Sequence, residues 1–187
     1  MVIANAGFGV VGPVEHLGLD DYRRQFETNV YGVLRTVHAT LADLKASRGR
    51  LAIIGSVSGH IATPGSSPYA MSKFAVRALA EALGHELVPA GVAVTLVSPG
   101  FVASEIRRVD NAGVFRADSP EPIPAWLVAP VERAARTIVR AVARRRREIV
   151  VTGHGKVAVW LQRHVPCLVA GGIRKFGVRS RAEPARR

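Results

Sequence analysis

Four stretches of this chain are mainly apolar: MVIANA (Met1 to Ala6), LAIIGS (Leu51 to Ser56), VAVTLVSP (Val92 to Pro99) and EIVVTG (Glu148 to Gly153). A strand with one wet face alternates apolar and polar residues, whereas a strand covered on both faces reads as a continuous run. Helical periods lie between them. After Asp20 or Asp21, either of which suits an N-cap, Phe26, Val30, Val33, Leu34, Val37 and Leu41 recur at helical spacing, which predicts a helix from about 21 to 45. A second helix is expected to start near Pro68 with Met71, Phe74, Ala75, Ala78, Leu79 and Leu83 on its inward face, and a third to run from Pro130 into the arginines at 144–147. Buried strands separated by helices require right-handed crossovers and a parallel sheet with helices on both faces, the α/β class.

At 187 residues, 48% hydrophobic and 21% charged, the chain suits one soluble domain with a substantial core. A single cysteine, Cys167, excludes an internal disulfide framework and fits a reducing cytoplasm. No secretion signal is visible, so a cytoplasmic location is expected. The segment KVAVWLQRHVPCLVAGGI is interrupted by Gln162, Arg163, His164 and Pro166, too polar for a membrane span but compatible with lying on a membrane surface. Packing of the same segment on its own domain or on a second subunit explains its residues as well. Lys and Arg outnumber Asp and Glu by 26 to 14, a net charge of +12 gathered in Arg144 to Arg147 and in the tail from Arg174 to Arg187. Such an end attracts anionic polymers or lipids without specificity, but zinc-finger spacing, aromatic nucleic-acid motifs and repeats are absent. No specific nucleic-acid partner and no metal site are expected, and a solvated helix end with a frayed tail accounts for the charge.

GFGVVG (Gly7 to Gly12) has the G-x-G-x-x-G spacing of a dinucleotide-binding loop. The mechanism needs a helix to open at the last glycine, because its first amides hold the phosphates. Pro13, Val14 and EHLGL follow instead, so a turn leaving a buried strand is the better reading. The connection from Glu105 to Ala129, with Pro120, Pro122 and Pro124, has no period and follows the end of the third strand, where open α/β sheets bind ligands.

Chemistry concentrates elsewhere. Tyr69 and Lys73 lie four apart near a helix start, so both project from one face. An ammonium beside a phenol favours phenolate and lowers its pKa toward working pH. Ser56 ends the second strand, where its hydroxyl could donate to a carbonyl or alkoxide oxygen. Each feature alone also has a bland explanation, a chance helix pair or a turn serine.

Together they do not. NAG (Asn5 to Gly7), Asn29 in NVYG, Ser56 in GSVSG, Tyr69-x-x-x-Lys73, and SPG (Ser98 to Gly100) followed by Phe101-Val102-Ala103-Ser104 resemble, in order and spacing, the short-chain dehydrogenase/reductase family from Met1 to about Gly153. The resemblance implies a partial doubly wound, Rossmann-like sheet over residues 1–153, with an apolar then basic tail at 154–187. It implies a hydride exchange between NADP or NAD and a secondary alcohol or ketone, with NADP favoured although the selecting region is absent. Tyr69 would be the acid/base. Lys73 would hold the nicotinamide ribose and lower the Tyr69 pKa, Ser56 would position the substrate oxygen, and Asn29 would anchor a water in a proton relay. Pro99, Gly100, Val102 and Ser104 would surround the nicotinamide, with serine at 104 where the family more often has threonine. Asn5, Ala6 and Gly7 would stabilise the sheet and lie by the adenosine-side ribose. GFGVVG then corresponds to the turn after the family's fourth strand. The family's phosphate loop and first three strands, roughly 60–90 residues at about 30 per βαβ unit, are not in the sequence. The chain is therefore expected to be the C-terminal two-thirds of such an enzyme, inactive or impaired in turnover. The expected substrate is a small, hydrophobic alcohol or ketone. Self-association and peripheral membrane contact are further expectations, and a non-catalytic remnant binding nucleic acid, membrane or a partner through its basic end is the competing reading.

Overall fold

The structure is a computed structural model and describes residues 1–118, 121 and 123–176. Four parallel strands form one sheet in the order β1 (Val2–Ala4), β2 (Arg50–Ile54), β3 (Ala93–Ser98) and β4 (Glu148–Val150). Helices α1 (Leu19–Phe26) and α2 (Gly32–Ala46) connect β1 to β2, α3 (Ser67–Glu86) connects β2 to β3, and α4 (Val131–Ala143) connects β3 to β4. Helices α5 (Gly153–His164) and α6 (Pro166–Phe176) follow.

Side chains alternate across the central strands and meet a different helix on each face. Leu51 and Ile53 of β2 and Val94 and Leu96 of β3 pack with Val33 and Val37 of α2 and Val76, Ala80 and Leu83 of α3. On the other face Ala52 and Val97 pack with Val142 of α4, Ile138, Ile149 and Val151. Apolar residues are therefore needed at most positions of β2 and β3, which is why both runs read as nearly continuous. Thr95, on the α4 face, is accommodated because its Oγ1 donates to the Arg146 carbonyl at 2.6 Å.

Several expectations are corrected. MVIANA is not buried throughout: β1 is an edge strand of the described sheet, with Met1 and Ile3 exposed. The first helix is capped by Gly18, and Asp21 sits three residues in, its carboxylate accepting the Gly18 N–H at 3.1 Å. That helix is also interrupted by a π-helical turn at Glu27–Tyr31, an insertion of a kind frequent at functional sites, which buries Asn29 and Val30. On α3, Met71 and Phe74 are 49% and 40% exposed and Ala78 is exposed, while Ser72, Lys73, Val76, Ala80 and Leu83 face inward. The inward face begins with polar groups because it lines the site before it reaches the core.

The arginine run is not merely solvated. Arg145, at φ 52°, donates from its two terminal nitrogens to the carbonyls of Gly91 and Arg48, each at 2.8 Å. His60 is buried beyond the end of β2, its Nε2 lying 3.0 Å from Ser98 Oγ and 3.5 Å from Glu148 Oε1. Burial pushes the His60 pKa down, and Arg77 adds to this against the opposing pull of Glu148. No helix among the described residues is long and apolar enough to cross a membrane, and no cluster of metal-ligating side chains occurs among them. The prolines at 120 and 122 and the basic tail from 177 onward lie outside the described residues.

Candidate active site

All four strands end at one edge of the sheet, so the segments after them share a crevice: Asn5 to Gly7 after β1, Gly55 and Ser56 after β2, Pro99 to Ser104 after β3, and Thr152 to His154 after β4. The first of these segments leads into GFGVVG, four of whose six amides already have protein acceptors. The N–H groups of Phe8, Val10, Val11 and Gly12 donate to Asn29 Oδ1, Gln25 Oε1, Asn111 Oδ1 and the Gly65 carbonyl. A phosphate-binding loop needs such amides free, so this loop is a structural turn.

Asn29, 1% exposed, holds that turn against the π-helical segment. Its Oδ1 accepts from Phe8 N at 3.1 Å, and its Nδ2 donates to Phe8 O at 3.0 Å and to Ser72 Oγ at 3.1 Å. The backbone at Gly7 passes so near that a Cβ there would stand 3.1 Å from Asn29 Oδ1 and 3.7 Å from Lys73 Nζ. Glycine in NAG thus lets β1 run past both side chains, and brings Asn29 and Lys73 to one point.

Lys73 is buried and its ammonium donates to the Ile54 carbonyl at 3.0 Å, while lying 5.6 Å from the Tyr69 ring centroid, within cation–π range. Burial lowers its pKa to about 8. Tyr69 is half-buried, with the Ser56 side chain beside its phenol. Ser56 Oγ also accepts the Ser58 N–H at 3.0 Å, which caps the 3-10 turn Val57–Gly59 and fixes the hydroxyl at the strand end. The expected lowering of the Tyr69 pKa by Lys73 is not what the structure shows. Burial of the phenol dominates and pushes its pKa up, against smaller lowering effects from the Ser56 side chain and the Arg107 charge. Lys73 contributes nothing comparable, because burial also disfavours its own charged form.

The loop after β3 is tied at both ends. Val57 N donates to the Pro99 carbonyl at 2.9 Å, and Val102 pairs with Ala129 in a parallel bridge. Ser104 is exposed and caps the short turn Glu105–Arg108, accepting from Ile106 N at 3.4 Å. Beyond it, described residues of the long connection reach back to the segment after β1. Arg107 forms an ion pair with Glu121 at 2.7 Å, and Asn111 pairs with both backbone groups of Val11 at 3.0 and 2.7 Å.

The family profile described as short chain dehydrogenase matches residues 1–114, the segment that carries Asn29, Ser56, Tyr69, Lys73 and Pro99 to Ser104. The chain belongs to the short chain dehydrogenase family. It is 38% identical over 104 residues to the mitochondrial D-beta-hydroxybutyrate dehydrogenase of Rattus norvegicus, covering 55% of this chain and 30% of that one. In fold it is similar to a short chain dehydrogenase from Burkholderia cenocepacia solved in complex with NADP, with a TM-score of 0.79 at 22% identity over 92% of this chain and 70% of that one. A short chain dehydrogenase/reductase from Burkholderia phymatum, solved in complex with NAD, gives 0.75 at 24% identity over 90% and 66%. The chain spans 30% to 45% of the length of the curated relatives it matches.

Of the residues named from the sequence, Gly7, Asn29 and Lys73 converge, as do Ser56 and Tyr69. Asn5 and Ala6 are exposed at the mouth of the crevice, and Val102 is drawn toward Ala129. Sequence reasoning missed Gln25 and Ser72, which anchor Asn29 and its loop, Arg107, whose charge reaches Tyr69, and Thr152 and His154, which abut Gly100. None has a local signature, since each acts on a partner far along the chain.

Proposed function

We propose that this chain carries the reacting centre of a nicotinamide-dependent oxidoreductase that interconverts a secondary alcohol and a ketone, with Tyr69 as acid/base. The observation that carries the reading is the Tyr69 phenol lying between the Ser56 side chain, which acts on its pKa, and the Lys73 ammonium 5.6 Å from the centre of its ring. The site fits a ribose and nicotinamide on the chain's own terms. Lys73 Nζ is buried, has one acceptor among the described residues, and lies beside Gly7 at the crevice, so further N–H donors remain for ribose hydroxyls. A bound nicotinamide supplies or takes the hydride.

Ser56 orients the substrate oxygen toward Tyr69. The raised Tyr69 pKa keeps the phenol protonated, the form that gives a proton to a carbonyl oxygen as it becomes an alcohol oxygen. In the reverse direction the same oxygen returns its proton to the Tyr69 phenolate, and Lys73, with a pKa of about 8, would hold the cofactor's ribose beside the phenol. Asn29 would anchor a water that completes the path to solvent. Pro99, Gly100, Val102 and Ser104 would line the nicotinamide, and Asn5 and Ala6 the sugar next to the adenine. NADP or NAD fills the role, with NADP the first to test. Exposed Phe101, Val114, Phe115 and Trp126 around the long connection support a hydrophobic substrate, and the exposed stripe of Met71, Phe74 and Ala78 on α3 supports self-association.

The test is Tyr69→Phe, assayed with NADPH and NADH against a panel of hydrophobic ketones. Turnover should fall by about 10²–10⁴-fold while the cofactor dissociation constant stays within about twofold, because only the phenolic proton is removed. Activity within a few-fold of the parent would remove Tyr69 from the mechanism.

A second reading, peripheral contact with an anionic lipid surface, is favoured by α5 and α6. Trp160 and Leu168 are 57% and 70% exposed and Val157 is exposed, beside Lys156 and Arg174. A groove of about 360 Å³ beside β4, lined by Arg140, Arg144 and Arg146, adds positive charge to the same end of the sheet.

A further inference from the structure

We infer that His154 is a positioning residue that sets the backbone of the loop Pro99 to Val102 for cofactor binding, an assignment that rests on the dehydrogenase reading above. His154 is the second residue of α5, and Thr152 caps that helix by accepting the Gly155 N–H at 3.3 Å. From there the imidazole reaches 53 residues back along the chain. Its Nε2 lies 3.0 Å from Phe101 N and 3.1 Å from Thr152 Oγ1, and its ring stacks on the Phe101 ring with centroids 5.2 Å apart. A backbone N–H can only donate, so Nε2 carries the lone pair and the proton of the neutral ring sits on Nδ1.

Gly100 completes the arrangement. A Cβ at that position would collide with Thr152 Oγ1 and stand 2.5 Å from His154 Nε2, so the loop backbone is pressed directly against the α5 cap. Contact is therefore made on both sides of one peptide: Gly100 is held by close approach and Phe101 by a hydrogen bond to the imidazole. The two ends of the loop are fixed by Val57 N on the Pro99 carbonyl and by the Val102 bridge to Ala129. His154 is thus the one side chain of α5 that orients the peptide plane between Gly100 and Phe101, whose direction determines which backbone groups the loop turns toward the crevice. An acceptor at the Nε2 position is the required feature, more than imidazole chemistry. Glutamine, whose Oε1 occupies about the place of Nε2, should replace it, and leucine, of similar bulk without an acceptor, should not.

The experiment compares the full chain with His154→Gln and His154→Leu by NADPH fluorescence titration, by thermal melting, and by hydrogen exchange of the Phe101 amide. The expected result is a cofactor dissociation constant about tenfold higher in His154→Leu and within about threefold of the parent in His154→Gln. Phe101 exchange should be accelerated in the leucine variant alone, with melting temperatures of the two variants alike. If His154→Leu does not fold, His154→Asn, whose shorter amide falls short of Phe101, takes its place. Equal cofactor affinity in all variants overturns the inference, and so does an equal loss in both, which would show that the acceptor is irrelevant. No cofactor binding by the parent chain overturns the cofactor role assigned to His154 here, while the dehydrogenase reading stands or falls by the Tyr69→Phe assay. The exchange data then show separately whether His154 holds the Phe101 amide.

Discussion

Replacing Asn29 with alanine measures how far one buried amide holds the candidate site together. The carboxamide makes three hydrogen bonds, two with the backbone of Phe8 and one with Ser72 Oγ. Two of the three partners keep another bond after the substitution: Phe8 O still accepts from Gln25 Nε2 at 2.9 Å, and Ser72 Oγ still donates to the Tyr69 carbonyl at 2.7 Å. Phe8 N loses its acceptor. With about 0.5–1.5 kcal/mol for each of the two bonds whose partners keep another and about 1–3 kcal/mol for stranding the Phe8 donor, the expected loss is roughly 2–6 kcal/mol. For a chain of 187 residues that is on the order of 10 °C in melting temperature. Asn111→Ala supplies the control, because it removes two similar bonds, to Val11, that lie exposed. Water replaces them there, so its loss should stay below about 1 kcal/mol. Urea denaturation followed by circular dichroism, with unchanged m values, gives both numbers. Equal losses in the two variants, or a loss below about 1 kcal/mol for Asn29→Ala, would refute the argument that burial gives this amide its weight.

Other consequences follow from titration and surface. Lys73 has a folded pKa of about 8 against 10.5 for the free side chain, so between about pH 8 and pH 10 the unfolded chain binds the proton that the native chain has released. Stability from this group therefore rises with pH across that window, by up to about 3 kcal/mol, and Lys73→Met should flatten the rise in denaturation midpoints. Above pH 10 the raised Tyr69 pKa works in the opposite direction, because the unfolded phenol ionises first. For His60, whose pKa is lowered below 6.5, stability is full above that pH and falls as the medium becomes more acidic, and His60→Gln should lessen the fall in midpoint between pH 7 and pH 5. On the surface, flotation with vesicles containing anionic lipid should carry the protein with them at low salt and leave Trp160→Ala/Leu168→Glu behind. Flotation of both proteins alike would exclude the α5–α6 ridge as the contact.

The sequence by itself was enough for the frame of this protein: four parallel strands, the two central ones covered on both faces, the helices between them, and the order of Ser56, Tyr69 and Lys73 along the crevice. Those features depend on local periods. A strand covered on both faces must be apolar throughout, and residues four apart on a helix must share a side, whatever else the chain does. What only the tertiary structure decided are meetings between residues distant in sequence. Asn111 closes on Val11 across 100 positions, His154 on Phe101 across 53, and Asn29 on Phe8 across 21. The π-helical turn that buries Asn29 and the exposure of Met71, Phe74 and Ala78 likewise escaped a pattern read at 3.6 residues per turn. The sign of the Tyr69 shift shows the reason most plainly. Spacing places an ammonium next to a phenol, but the pKa depends on how much water each has lost, and burial is a property of the whole packed chain rather than of any segment.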